Sequence, residues 1–292
     1  VVNVKYSTFT GNSAGTDSTL NSVGTGGAIS SRCTVVGDNS NIAAALNVTD
    51  STFTNNTATN RGGAIYTDSV LEMEYSIFTD NTADKGGAIN TSVEKFYCNV
   101  CYNIIAGNTD TEGHQISGKW DGNYMNFNYN WWGLNDPPRY GTITNWLVLT
   151  ITANPATINT GGTSTVTVDL LHDKYGHIVD NLIGHFLNGI GKPVTFTITN
   201  PSLGSLNPTS STMVNCQATS TFIASASGTA YITSTVHNQT VSTQITIKKS
   251  PTHLIINNTS GIKGQTINLT ATLTDGNNHP LAGKNVNFAV NG

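Results

Sequence analysis

The chain has 292 residues, of which only 10% are charged, and a formal net charge of −4 at pH 7. This length suits two or three domains of roughly 100–150 residues each. No run of about 18 apolar residues is present to cross a membrane as a helix, and no basic stripe indicates a nucleic-acid partner. Regularly spaced Val, Ile, Phe and Leu among Ser, Thr, Asn and Gly predict strands with one wet face rather than disorder.

An internal repeat fills much of the first half of the chain. The segments STFTNNTA…GGAI and SIFTDNTA…GGAI share their aromatic, Asn and paired-Gly positions, and they occupy residues 51–65 and 76–89. Phe53 and Phe78 lie 25 residues apart. Short β-type runs at this period are typical of a right-handed parallel β-helix, in which each coil buries its apolar residues only by stacking on its neighbours.

Two further copies extend the repeat on either side. An earlier copy occupies residues 7–29 with a longer loop, and a worn copy has Ile105 in the Phe position and GHQI at 113–116. We expect an internal aromatic column formed by Phe9, Phe53 and Phe78. We also expect an internal amide ladder, with each side chain bonding the coils above and below, formed by Asn12, Asn56, Asn81 and Asn108.

The β-helix is predicted to end in a Trp-rich cap, which gives a first domain at residues 1–146. Trp131 and Trp132 stand side by side, and a Pro pair at 137–138 follows that cannot continue a strand ladder. A buried capping role is favoured for the Trp pair, because terminal coils of solenoids need covers. The alternative is a sugar-stacking platform, with Trp120, Trp131 and Trp132 as candidate glycan contacts.

Clean alternation of apolar and polar residues follows the Trp-rich segment. Short runs of this kind, separated by turn signals, predict an Ig-like β-sandwich over residues 147–249. A second Ig-like module opens at 250–292, and its predicted strands lie near 250–256, 264–270 and 286–290. Because this is only half a sandwich and the first residue is Val rather than Met, we expect a trimmed portion of a longer chain or a partner that completes the module.

The repeats resemble the polymorphic outer-membrane protein type of β-helix repeat, whose marks are F-x-x-N followed by G-G-A-[I/L/V]. The F-x-x-N motif stands at 9–12, 53–56 and 78–81, and GGAI begins at 26, 62 and 86. The fourth copy departs from this pattern. The resemblance implies a β-helix that is displayed at a cell surface.

The Asn-Trp-Trp-Gly closure at 130–133 and the sandwich that follows look like the adhesin-like surface proteins of methanogenic archaea. The sandwich motifs NPATI, GKPVTF and GSLNPT, at 154–158, 191–196 and 204–209, are similar to the bacterial Ig-like module of invasin and intimin type. The resemblance implies an extracellular protein in which Ig-like modules form a stalk.

Parallel β-helices also support pectate lyases and polygalacturonases, whose chemistry needs acids converging from neighbouring coils. The repeat register aligns Glu72 with Asn47. It aligns Glu74 with Thr49 and Cys101, so no two carboxylates stack. We therefore expect no enzyme, no catalytic residue and no cofactor.

The four cysteines are Cys33, Cys98, Cys101 and Cys216. Cys98-x-x-Cys101 is half of a zinc signature without a second half, and an extended strand points these two side chains to opposite faces. Buried free thiols are therefore favoured over a disulfide or a metal site.

A long insert in the sandwich carries His172, His177 and His185 together with Asp173 and Asp180. Their spacings match no metal-ligand signature, so a solvated loop is favoured over a cation site. We predict no metal site in the chain.

Sequons of the N-x-[S/T] type make candidate N-glycosylation sites of Asn47, Asn55, Asn90, Asn238, Asn257, Asn258 and Asn268. Such triplets arise by chance in a chain this rich in Asn, Ser and Thr, so they favour a secreted location only weakly.

Together these features predict an all-β, extracellular cell-surface structural protein of adhesin-like type, with the β-helix as a binding or display surface. The expected partners are glycans or surface proteins of another cell, or neighbouring copies of the chain. Two alternatives stay open. One is a subunit of a surface filament or layer whose half-module at 250–292 is completed by a neighbouring chain; the other is a carbohydrate-binding or carbohydrate-active β-helix protein, lyase-like or hydrolase-like.

Overall fold

The computed structural model describes residues 1–16, 23–32, 44–92, 97–118, 125–137, 143–276 and 278–289. The regular structure in these ranges is strand, apart from the short 3₁₀ turns η1 (Asp180–Leu182) and η2 (Pro201–Leu203). Within the same ranges, no helix is long and apolar enough to span a membrane.

Parallel strands from successive coils stack into three faces of a β-helix. The first face consists of β1 (Val2–Lys5), β5 (Ala45–Thr49), β9 (Val70–Glu74), β12 (Cys98–Cys101) and β15 (Met125–Asn126). The second face consists of β2 (Thr8–Thr10), β6 (Thr52–Thr54), β10 (Ile77–Thr79) and β13 (Ile104–Ala106). The third face consists of β4 (Ile29–Ser31), β8 (Ile65–Thr67), β11 (Ile89–Thr91) and β14 (Ile116–Gly118). A short ladder also joins β3 (Ser13–Ala14) to β7 (Thr57–Ala58).

The predicted aromatic column fills the centre of the β-helix. The ring centroids of Phe9 and Phe53 lie 4.8 Å apart, and those of Phe53 and Phe78 lie 4.6 Å apart. Phe53 and Phe78 are fully buried, and Ile105 takes the next position in register. The ring spacing matches the strand spacing of about 4.8 Å, so each of the first three coils contributes one ring to the column.

The four predicted asparagines form one ladder at the corner after the second face. The Nδ2 of Asn12, Asn56 and Asn81 each donates to the Oδ1 of the asparagine in the next coil, at 2.8, 2.9 and 2.7 Å. The last rung, Asn108, donates from Nδ2 to Oε1 of Gln115 at 3.2 Å. Gln115 Nε2 in turn donates to the backbone carbonyl oxygen of Trp132 at 2.9 Å. A glutamine therefore takes the place of the rung that a further coil would supply.

A second polar ladder, which was not predicted from the repeat, lines the corner between the first and second faces. The ladder consists of Ser7, Ser51, Ser76, Asn103 and Asn130. The backbone N–H of each of the first four donates to the side-chain oxygen of the next residue in the series, at 2.8–3.2 Å. Its sequence signal is the small polar residue two positions before each Phe or Ile of the central column.

The paired glycines of the repeat permit close approach between coils. Gly62 has a φ of +63°, and a Cβ there would lie 2.0 Å from the carbonyl oxygen of Ile65. A Cβ on Gly63 would lie 2.1 Å from the carbonyl oxygen of Gly87 in the next coil. Any side chain at either position would push the backbone out of its stacking position.

Two sheets follow the β-helix and pack as a sandwich. One sheet has the order β16 (Leu147–Asn154), β18 (Thr163–Asp173), β22 (Gln217–Ala224), β20 (Gly204–Asn207). The other has the order β17 (Thr157–Asn159), β24 (Gln239–Lys248), β23 (Gly228–Val236), β19 (Val194–Ile198), β21 (Ser210–Ser211). Neighbouring strands are antiparallel except for the parallel pair β17 and β24. The predicted fold class, a parallel β-helix followed by a β-sandwich, is confirmed.

The sandwich packs against the second face of the β-helix. Outward positions of that face change from Thr8 and Thr52 in the first two coils to Ile77, Ile104 and Trp131 in the later coils. Thr8 is exposed, whereas Ile104 and Trp131 are fully buried in one core with sandwich residues. The change from Thr to large apolar residues therefore marks the coils that the sandwich covers.

The last segment has the strands β25 (Thr252–Ile256) and β26 (Ala271–Asp275), which pair antiparallel. The strand predicted at 264–270 is wrong, because this segment is irregular and the strand begins at Ala271. The prediction at 286–290 is wrong over 286–289, which forms no strand, and residue 290 lies outside the described residues. Among the residues that the structure describes, neither 264–270 nor 286–289 pairs with a strand.

Candidate binding surface

A row of amide side chains runs across the outer side of the first face. The strand register aligns Asn3, Asn47, Glu72, Asn99 and Asn126. Asn47 Nδ2 donates to Asn3 Oδ1 at 2.9 Å, and Asn126 Nδ2 donates to Asn99 Oδ1 at 3.0 Å. The exposed carboxylate of Glu72 stands between the two amide pairs. The row therefore presents alternating donors and acceptors at the strand spacing of about 4.8 Å.

A parallel row lies two residues further along each strand and contains Lys5, Thr49 and Glu74 in register. The two rows line a shallow groove of about 380 Å³, formed by Asn3, Val4, Lys5, Asn47, Thr49, Glu72, Glu74 and Asn99. The Oδ1 of Asn47 is buried and has no hydrogen-bond partner among the described residues. The groove is thus open, polar and rich in hydrogen-bonding groups, as suits a ligand rich in hydroxyls.

The carboxylates of this face do not stack on one another. Glu72 is flanked in register by Asn47 and Asn99, and Glu74 is flanked by Thr49 and Cys101, as the repeat spacing predicted. Glu72 and Glu74 nevertheless share the outer side of one strand, two residues apart, a proximity that the spacing between coils does not reveal. This pair is the acidic centre of the groove.

A column of tyrosines marks the corner between the first and second faces. Tyr6, Asp50, Tyr75 and Tyr102 each directly follow a first-face strand, and Tyr129 takes the equivalent position in the last coil; all five have a positive φ of 47–60°. The rings of Tyr75 and Tyr102 stack at 5.7 Å, and those of Tyr102 and Tyr129 stack at 5.3 Å. Burial raises the pKa of both Tyr75 and Tyr102 above the ordinary value. Asp50 is the member of the column that lacks a ring.

The sandwich insert fills part of the space beside Asp50. The His185 ring stacks on Tyr75 with centroids 3.6 Å apart, and its Nδ1 lies 2.6 Å from Asp50 Oδ1. The next residue, Phe186, is buried in the shared core, and Leu182 before it is fully buried. The insert was predicted to be a solvated loop, and this is wrong for its second half, because these side chains anchor it to the β-helix.

The histidines of the insert do not gather around a common point. His172 Nδ1 lies 2.8 Å from Asp169, and His177 Nδ1 lies 3.3 Å from Asp173, so each of these histidines has its own carboxylate. Burial acts to raise the pKa of Asp173, but hydrogen bonds from Asn145 and from backbone N–H groups lower it to about 2. In the described part of the chain, no three His, Cys, Asp or Glu residues lie close enough to hold a metal ion.

A buried histidine lies at the junction between β-helix and sandwich. The indole Nε1–H of Trp131 donates to His237 Nδ1 at 3.0 Å, so the neutral ring carries its proton on Nε2. This Nε2 is buried without a hydrogen-bond partner among the described residues. Burial, together with the positive charge of Lys192, lowers the pKa of His237 to about 4. An ion pair between Lys192 and Asp80 crosses the junction beside it.

The Trp pair is not available to a ligand. Trp131 and Trp132 are 0% and 2% exposed, so neither ring presents a face to a glycan. The glycan-contact role predicted for them is therefore wrong, because the sandwich and the last coil cover both rings. Trp120 lies outside the described residues.

The cysteines that the structure describes are free and buried. They are Cys98, Cys101 and Cys216, and burial raises the pKa of each thiol to about 12. Cys98 faces the core of the β-helix, whereas Cys101 Sγ lies 3.2 Å from the outer Asn99 Oδ1. Cys33 lies outside the described residues.

The candidate glycosylation sites differ in exposure. Asn55, Asn238, Asn257, Asn258 and Asn268 are exposed, and Asn47 is half-buried in the amide row. Asn90 is only 4% exposed on the third face. Its predicted glycosylation is wrong for the folded chain, because a buried amide cannot carry a glycan.

The segment after the sandwich exposes apolar side chains. Leu254, Ile255 and Ile256 on β25 are 50%, 55% and 59% exposed, and Ile262 is 75% exposed. Consecutive exposed apolar residues on a short two-stranded sheet form an apolar surface of the kind found at interaction sites.

A repeat model matches part of the chain. The Chlamydia polymorphic membrane protein repeat matches residues 50–68 and 75–92. These ranges hold the second and third coils of the β-helix, with their F-x-x-N and GGAI motifs. No curated protein sequence matches the chain.

Solved structures similar to this chain include parts of the S-layer protein SbsC. Domains 4 and 5 of SbsC are 18% identical with a TM-score of 0.25, over 37% of this chain and 55% of that one. Domains 4–9 are 15% identical with a TM-score of 0.27, over 48% of this chain and 22% of that one. The chain thus spans about half or less of the length of these structures.

Proposed function

We propose that this chain is part of an extracellular, non-enzymatic surface protein whose first face binds a partner outside the cell. The observation that carries this proposal is the continuous row of outward amides and carboxylates along the first face, with its open polar groove. This row suits a repeating or extended ligand, because each successive coil presents similar polar side chains at the next strand position.

The setting at a cell surface is supported by the repeat type. The model that matches two of the coils is named for a membrane protein repeat, and the sequence also resembles adhesin-like surface proteins of methanogenic archaea. The sandwich at 147–249, taken as Ig-like, acts in this proposal as the first module of a stalk. Its shared core with the second face holds the β-helix in a fixed orientation, which leaves the first face free.

The absence of catalysis is part of the proposal. Glu72 and Glu74 line an open groove, and neither carboxylate is paired in register with another from a neighbouring coil. Incubation of the chain with polygalacturonate and with neutral polysaccharides should release no reducing ends and no unsaturated products. Product formation that disappears in Glu74→Gln would establish a carbohydrate-active enzyme instead.

Binding is tested on intact cells. The fluorescently labelled chain should bind at least one type in a panel of microbial and animal cells, as measured by flow cytometry. Replacing Asn47 and Asn99 by Arg fills the groove with bulk and charge, and should abolish binding without unfolding the β-helix. Tyr231→Arg, on an exposed position of the sandwich, is the matched control and should bind like the unmodified chain.

A second candidate role is self-association through the last segment. The exposed Leu254, Ile255 and Ile256 favour it, since strands of this kind are completed by strands of another chain. Sedimentation velocity should then show oligomers that Ile255→Asp converts to monomers. A monomer at every concentration would exclude this role for the chain.

A further inference from the structure

We propose that the cavity beside Tyr6 and Asp50 binds one ring of a neutral sugar, at the edge of the first face. This inference rests on the proposed binding role of that face and names its ligand class. It comes from the single gap in the tyrosine column.

The gap has a defined width. Tyr6 and Tyr75 are two coils apart, and one coil step is about 4.8 Å. Asp50 occupies the coil between them without contributing a ring. His185 takes the side next to Tyr75, at 3.6 Å between centroids, and leaves the side next to Tyr6 open.

A cavity of about 170 Å³ remains there, lined among others by Tyr6, Ser51, Thr52, Ile77, His185 and Asn188. This volume is below the roughly 300–1,000 Å³ of sites for drug-sized ligands. The cavity therefore has room for a single ring, and the polar groove on the first face is lined by residues of the same three coils and of the coil after them.

The lining suits a sugar rather than a purely apolar ligand. One wall is formed by Tyr6, whose ring can pack against the C–H face of a pyranose. Asp50 also lines the cavity; its Oδ1 contacts His185, and its second carboxylate oxygen can accept a hydrogen bond from a sugar hydroxyl. Glu74, one residue before Tyr75, brings a further acceptor to the same edge.

The charge around the cavity selects among sugars. The linings of the cavity and the groove hold three carboxylates, Asp50, Glu72 and Glu74, and one lysine, Lys5. A carboxylate on the ligand would face like charges at this site, so neutral sugars are favoured over uronic and sialic acids.

Saturation-transfer difference NMR tests the site with defined probes. The probes are the methyl glycosides of glucose, galactose, mannose and N-acetylglucosamine at about 10 mM, a concentration suited to millimolar affinity. Methyl glucuronide is the acidic comparison. At least one neutral glycoside should receive saturation and should bind more tightly than the glucuronide.

Two tyrosine variants locate the binding. Tyr6→Ala removes an exposed ring, and should weaken the affinity roughly 2- to 13-fold if ring stacking is lost. Tyr231→Ala removes a ring on the sandwich that is 53% exposed and should leave the affinity unchanged. No transfer to any neutral glycoside, or an unchanged affinity in Tyr6→Ala, would overturn the inference.

This inference and the proposed function fail separately. Intact binding to cells without transfer to any glycoside overturns the sugar site alone. Transfer that depends on Tyr6, in a chain that binds no cell type, overturns the proposed function alone.

Discussion

Replacing Asn81 by Ala removes the central rung of the asparagine ladder. Asn81 is fully buried, and its side chain takes part in four hydrogen bonds. Its Oδ1 accepts from the backbone N–H and the Nδ2 of Asn56, both at 2.9 Å. Its Nδ2 donates to the carbonyl of Phe53 at 2.9 Å and to Asn108 Oδ1 at 2.7 Å.

The magnitude follows from those bonds. Each hydrogen bond contributes about 0.5–1.5 kcal/mol net, so the loss of all of them costs about 2–6 kcal/mol. The upper half of that range is expected, because Asn81→Ala leaves the buried N–H of Asn56 with no acceptor. Neighbouring coils share the ladder, so the loss destabilises the whole β-helix rather than a single coil.

The assay is urea unfolding followed by the fluorescence of the buried tryptophans. Asn12→Ala is the matched control, since Asn12 plays the same part at the exposed end of the ladder and should cost below about 1 kcal/mol. A cost for Asn81→Ala within about 1 kcal/mol of the control would refute the view that buried amide rungs stabilise the coils.

Three further predictions concern the junction and the core. His237 is protonated near pH 6.5 in the unfolded chain but only near pH 4 in the folded chain. The free energy of unfolding should therefore fall by about 3 kcal/mol as the pH falls from 6.5 to 4. Denaturant titrations at several pH values should show this pH dependence, and it should be weaker in His237→Gln. Ile104→Ala should lower the free energy of unfolding by about 2–5 kcal/mol in the same titrations, because it leaves a cavity in the core that the β-helix shares with the sandwich. Thr8→Ala, in the same outward column, should lower it by less than about 0.5 kcal/mol. Equal losses would contradict the packing of the sandwich on the second face. Cys98 and Cys216 should react with maleimide only after denaturation, as followed by mass spectrometry, and fast labelling of the folded chain would contradict their burial.

The architecture of the coils was predictable because it depends on residues that repeat. The positions of Phe53 and Asn56 recur after 25 residues, and stacking forces equivalent residues into one column. The Ser and Asn ladder at the corner between the first and second faces also repeats from coil to coil, for example in Ser51 and Ser76. It was missed because small polar residues are too common in this chain to be conspicuous.

The candidate site was less predictable, because it depends on contacts between distant segments. Nothing local in the sequence places His185 against Asp50, which lies 135 residues earlier. The sequence did contain a signal for the packing of the sandwich on the second face. Ile104 and Ile105 are consecutive apolar residues, which breaks the alternation expected of a strand with one solvent-exposed side. The glycan role of the Trp pair failed for the same reason, because the fold buries Trp131 at that junction.

The most direct test of the account is carboxyl footprinting of the chain while it is bound to a cell type that it recognises. A carbodiimide label read by mass spectrometry compares Glu72, exposed at the centre of the first face, with Glu112, whose side chain is 73% exposed away from that face. The account predicts that Glu72 is protected on binding and that Glu112 is labelled as in the free chain. Protection of Glu112 with full labelling of Glu72 would contradict the central claim, because the partner would then lie elsewhere on the molecule.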